Sequence, residues 1–151
     1  MTEQEESTAK LDSLIQALSK LSSVMENDSK LLHELTDKGV AFIDDVFCAG
    51  IDPAMESELA PCLRLRRANL KISMVQIDAL QFFFVAGLQY VQSFKNVLSG
   101  MPWIYREDYL KDFVRMGIAV ENQMTNLADI ARDIRKSVVA IMKAMNIDLD
   151  T

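Results

Sequence analysis

The chain has 151 residues, half of them apolar and a quarter charged, with 16 Lys+Arg against 22 Asp+Glu for a net charge of −6. It is long enough to bury a core without disulfides or metals, and its acidity excludes DNA or RNA as the main partner, because phosphate binding needs a basic field. Five Gly and three Pro are too few for a many-turned β protein, and one His with two Cys leaves little for a metal site.

The first predicted element covers residues 7–48. Leu11, Leu14, Leu18, Leu21, Met25, Leu32, Leu35, Phe42 and Val46 follow alternating steps of three and four, a heptad seam interrupted only at Asp28 and Gly39. Thr2 with Glu5, or Ser7 and Thr8 ahead of Leu11, can cap its start. The polar cluster Asn27, Asp28 and Ser29 is a possible break, which would give four helices instead of three. The unchanged register across it favours one continuous helix.

Gly50 follows the last periodic residue, and Asp52 can cap a helical turn that starts with Pro53 and runs to residue 60. Pro61 is expected to end or kink that turn. The next long element covers residues 62–99. Leu70, Met74, Ile77, Leu80, Phe84, Leu88, Val91, Phe94 and Leu98 form one stripe. Ile72, Val75, Ala79, Phe82, Phe83, Val85, Ala86 and Tyr90 cover much of the remaining circumference. Residues 79–94 carry no charge, but Gln81, Gln89 and Gln92 interrupt them, and a spanning helix wants about 20 apolar residues. The element reads as a buried helix, not a transmembrane one.

After Gly100 and Pro102, the third element covers residues 105–147. Leu110, Phe113, Gly117, Val120, Met124, Leu127, Ala131, Ile134, Val138, Ile141 and Met145 sustain the same alternation. Three long seams with short links predict a single all-α domain over residues 1–151. Its fold is an antiparallel three-helix bundle with coiled-coil-like packing, and residues 1–6 and 148–151 are tails. The acidic, polar start lacks the basic and apolar regions of a secretory signal. Cys48 and Cys62 are accordingly expected as reduced thiols in a cytoplasmic protein.

Few residues offer chemistry. His33 stands in His33-Glu34-Leu35, which resembles the His-Glu-Leu box of sensor histidine kinase dimerisation helices. Thr36 follows Leu35 directly, without the basic residue and later Pro of that family. Phosphotransfer through His33 is the reading this resemblance implies. No carboxylate and histidine pattern suits a di-metal bundle site, no base stands near Cys48, and no glycine-rich phosphate loop occurs. The expectation is a non-enzyme with no catalytic residue, metal or cofactor.

Two surface features stand out. Arg64, Arg66 and Arg67, with Trp103 and Tyr105, are candidates for a docking patch. The alternative is that the arginines pair with the protein's own acids, and that the aromatics plug the end of the bundle. Phe82, Phe83, Val85 and Tyr90 are candidates for an interface, because a helix in a three-helix bundle keeps one face wet. Each exposed Phe forgoes about 1.5–3 kcal/mol. The expected function is a helical protein-interaction module that self-associates as a dimer or higher oligomer and docks a partner in an adaptor, chaperone or regulatory role. In its long helices, short connectors and apolar stripe the chain also resembles phasins, which coat polyester granules. That likeness implies binding to an apolar or lipid-like surface.

Overall fold

A computed structural model of the chain describes residues 2–147 and Leu149, apart from the side chains of Glu3, Gln4 and Trp103. It contains three helices, α1 (Glu3–Ala49), α2 (Glu56–Ser99) and α3 (Trp103–Ala144), and no strand among the described residues. The fold is an all-α three-helix bundle.

Helix α1 starts earlier than its hydrophobic seam. The Glu5 amide donates to Thr2 Oγ1 at 3.1 Å and the Thr2 amide donates to Glu5 Oε2 at 3.0 Å, a reciprocal capping box. Residues 3–6, expected as tail, are therefore helical. Asp148, Asp150 and Thr151 of the expected C-terminal tail lie outside the described residues. The helix is unbroken through residues 27–29. Ser29 is buried, and Asp28 faces Arg135 of α3 at 3.5 Å, so tertiary contacts absorb the polar cluster.

Gly50, at φ 88°, ends α1. Asp52 then caps the next turn, its Oδ1 accepting from the Ala54 amide at 3.0 Å. Helix α2 begins at Glu56 and continues past Pro61, which neither ends it nor separates it from a second helix. Pro61 falls in the second turn, where only the carbonyl of exposed Ser57 loses its donor, so the usual penalty of an interior proline is small. The early start also moves Arg64 out of the first turn, where the helix dipole would oppose it, and leaves Glu56 and Glu58 there instead. Helix α3 closes with the Asn146 amide on the Lys143 carbonyl and the Ile147 amide on the Met142 carbonyl, with Asn146 at φ 57°. These are the paired bonds of a Schellman end.

A central row repeats every seven residues in each helix. Leu11, Leu18, Met25, Leu32 and Gly39 are buried in α1; Leu63, Leu70, Ile77, Phe84 and Val91 in α2; Leu110, Gly117, Met124, Ala131 and Val138 in α3, with Met145 just past its end. The second row of the α1 seam is lost towards the end of the helix. Leu14 and Leu35 are buried, but Phe42 is 41% exposed, and the neighbouring row of Ser29, Thr36 and Ile43 has turned inward beside it. An α-helix drifts about 20° per heptad against a seven-residue repeat, which over four heptads exchanges one flank for the other. Thr36 fits this inner position because its hydroxyl donates to the Leu32 carbonyl at 2.8 Å.

Contacts gather into two compact units, as long helices dictate when each residue touches only neighbours at its own level. Unit 1 comprises Met1–Glu26 and Leu80–Asp129; unit 2 comprises Asn27–Ala79 and Ile130–Thr151. In unit 2, α1 and α2 run antiparallel, joined by His33 to Asp78 at 2.5 Å and by Asp44 to Arg67 at 2.8 Å. The core of this unit closes over Gly39, where an added Cβ would stand 2.6 Å from Met142 Sδ and 2.8 Å from Leu70 Cδ1. In unit 1, Phe94 of α2 stacks on Phe113 of α3 at 4.5 Å, and Lys95 of α2 pairs with Asp12 of α1.

Gly39→Val puts a branched side chain into the point where three helices meet, and overpacking of this kind costs about 1–3 kcal/mol. A urea titration should show a lower midpoint with an unchanged slope. Gly39→Ala should be much milder, since the two nearest atoms are the ends of flexible side chains and the substitution favours helix.

Candidate interaction surface

Helix α2 presents far more apolar surface than its neighbours bury. It contains a stretch long and apolar enough to cross a membrane by length and composition, and only 22% of that stretch is buried. The expectation of a buried helix is thus corrected: α2 is buried along one stripe and open on the other side. Phe82 is 69% exposed, Phe83 57%, Tyr90 49% and Val85 41%. Successive residues turn by 100°, so Phe83 and Val85 sit about 200° apart, on opposite flanks. Phe82 lies between these two flanks, one turn from Val85, while Tyr90 lies on the Phe83 side.

Phe82, Phe83 and Tyr90 belong to unit 1, and there Phe83 and Tyr90 border a groove between α2 and α3. Phe83, Ala86, Gly87 and Tyr90 form its α2 wall, and Val120, Gln123 and Leu127 its α3 wall, around a volume of about 310 Å³. That is the low end of what small-molecule sites occupy and fits one or two inserted side chains. Gly87 lies over Met124 and Val120, each 3.2 Å from where its Cβ would be, so the absence of a side chain brings α3 close. Tyr90 is held in place: its ring meets Phe94 edge-on at 4.8 Å, and its hydroxyl reaches Met116 Sδ at 3.7 Å. Phe82 and Phe83 contact each other edge to face at 6.1 Å. The far rim is neutral, with Gln123 and Asn126 lining the adjoining hollow.

The candidate docking patch divides between the units, with Arg64, Arg66 and Arg67 in unit 2 and Tyr105 in unit 1. Arg67 grips Asp44 through Nε at 2.8 Å and Nη2 at 3.4 Å. The Arg64 guanidinium lies 5.5 Å above the Phe47 ring, and Arg66 is half-buried. Arg64 and Arg67 are thus engaged by their own chain. Ile104 and Tyr105 are exposed, so they do not plug the core; the side chain of Trp103 lies outside the described residues. Instead Arg106 closes that end, donating to the Met101 carbonyl at 2.9 Å and the Ser99 carbonyl at 3.4 Å.

The remaining polar groups are dispersed. His33 spends Nε2 on Asp78 at 2.5 Å, with both side chains partly open to solvent. Cys48 and Cys62 are free and exposed. Among the described residues no group of three His, Cys, Asp or Glu side chains is placed to hold a metal ion. A second cleft of about 300 Å³ in unit 1 includes Asp12, Lys95 and Arg106, whose charges are taken up by the contacts already given.

Sequence reasoning missed Gly87 and the α3 wall, because Val120, Met124 and Leu127 read only as core. The signal was the adjacent Ala86 and Gly87 in the middle of a bulky run, which marks a close approach. If the Arg67 and Asp44 pair is a partly exposed internal tie, Arg67→Ala and Asp44→Ala should each cost no more than about 1 kcal/mol. A double-mutant cycle by urea unfolding should give a coupling of about 0.2–1 kcal/mol. Compared with protein-family models, curated proteins and solved structures, the chain matches none of them.

Proposed function

We propose that this protein is a non-enzymatic helical interaction module that self-associates through the outward face of α2 in unit 1. The observation that carries the reading is the exposure of Phe82, Phe83 and Tyr90 together, beside a groove with neutral amide rims. Contiguous apolar patches of this kind mark interaction sites, and symmetric dimers are the commonest soluble assembly. Tyrosine and phenylalanine suit such a face, since they are enriched at the centres of interfaces. Docking of a further protein, in an adaptor, chaperone or regulatory role, belongs to the same reading.

A second reading is favoured by one observation, the long apolar stretch of α2 that is mostly unburied. On this reading the face lies against an apolar assembly, as the likeness to phasins implies. The two readings differ in solution behaviour. Self-association predicts at least twice the chain mass in sedimentation at micromolar concentration. Phe82→Glu and Phe83→Glu should each weaken the assembly, because symmetry counts every substitution twice. Removing about 1.5–3 kcal/mol per ring predicts roughly a hundredfold or greater loss of affinity. A folded wild-type monomer that coats neutral-lipid droplets would instead support the second reading.

A further inference from the structure

Resting on the reading of α2 as a self-association surface, we infer that its partner is the α2 of a second copy, packed antiparallel across a two-fold axis at Ala86. An isologous contact requires a patch that is its own complement, so that residue i meets j while j meets i. Phe82, Ala86 and Tyr90 meet this requirement. They stand at four-residue steps along one ridge, with an aromatic ring on each side of a methyl group. Turned end for end about Ala86, the ridge lays Phe82 of one copy beside Tyr90 of the other, twice. The small side chain at the centre permits the close axial approach of about 8–10 Å at which helices pack.

The same patch holds both a projection and a recess. Phe82 projects, and the groove bounded by Phe83, Gly87, Tyr90 and Leu127 is open. Tyr90 is already fixed by Phe94 and Met116, so the surface is formed before binding and ordering costs little. No charged residue lies between Asp78 and Lys95, so the two-fold brings no like charges together.

Area and rim chemistry favour a protein over a lipid surface. Aromatic side chains bury about 150–250 Å² each. The exposed parts of Phe82, Phe83 and Tyr90, with the small residues between them, supply on the order of 400–500 Å² per copy. Two copies approach the roughly 1,000 Å² that a specific interface requires. Helices that lie on membranes carry lysine and arginine beside their apolar face. Here the neighbours are Gln89 and Gln123, amides that satisfy one another across a protein contact.

Disulfide trapping in the full chain with Cys48→Ser and Cys62→Ser tests the geometry. Ala86→Cys should cross-link to itself under mild oxidation. Phe82→Cys mixed with Tyr90→Cys should give the mixed dimer. Phe82→Cys alone should not link, because antiparallel packing sets the two copies of residue 82 about 12 Å apart along the axis, beyond the about 4.4–6.8 Å between Cα atoms of a disulfide. Sedimentation of the wild type and of Ala86→Cys under reducing conditions accompanies the trapping, and keeps the test valid if loss of a ring weakens the dimer. A dimer in which Phe82→Cys links to itself overturns the antiparallel arrangement and leaves self-association standing. A dimer in which Ala86→Cys never links overturns this surface. A wild-type monomer overturns both the arrangement and the reading it rests on.

Discussion

The amount of apolar surface a helix carries, set against the number of neighbours its own chain supplies, governs this structure. Helix α2 has two neighbours, and its buried row from Leu63 to Val91 takes up what they can cover. Phe82, Phe83 and Tyr90 remain outside. Water around such rings is costly, and hydrogen bonding cannot recover that cost. This surplus is what the proposed self-association would cover, whereas several charged groups are already engaged within the chain. Arg67 and Lys95 are each tied to an acid on α1, His33 to Asp78 on α2, and Arg106 to the carbonyls at the end of α2.

Helix content, helix number and the central seven-residue rows were legible in the sequence because they depend only on periodicity. So was the continuity of α1 through Asn27, since a heptad register survives only in an unbroken helix. What periodicity could not convey was rotation. Phe42 and Ile43 differ by 100° on the helix, and the accumulated drift decides which one enters the core. Pro61 was misread for a related reason. A proline's effect depends on how far it stands from the first turn, and the start at Glu56 is set by the Asp52 cap rather than by the apolar pattern.

The candidate surface was half legible. That α2 has more apolar residues than one stripe can bury is a matter of counting. Which of them share a patch requires knowing where α3 lies, and that depends on Gly87. The glycine draws Met124 and Val120 close and turns Phe83 and Tyr90 into walls of a groove. Val85, equally apolar, lies on the opposite flank and shares no wall with Phe83. The arginine cluster shows the complementary limit. Its residues looked available because Asp44 and Phe47, which engage Arg67 and Arg64, lie more than fifteen residues away in sequence and become neighbours only when the bundle folds.

Gly50 places an unusual demand on the link between α1 and α2. Its φ of 88° belongs to the left-handed region, yet nothing stands within 4 Å of where a Cβ would point. The position is therefore closed to other residues by chirality and open to them by volume. L-alanine would strain the backbone by about 1–2 kcal/mol, the cost of forcing a Cβ against its own carbonyl. D-alanine has its Cβ on the other side, away from that carbonyl, and positive φ is its ordinary conformation. It would also restrict the unfolded chain more than glycine does. This connection is thus a place where a mirror-image residue should strengthen a protein built from ordinary ones.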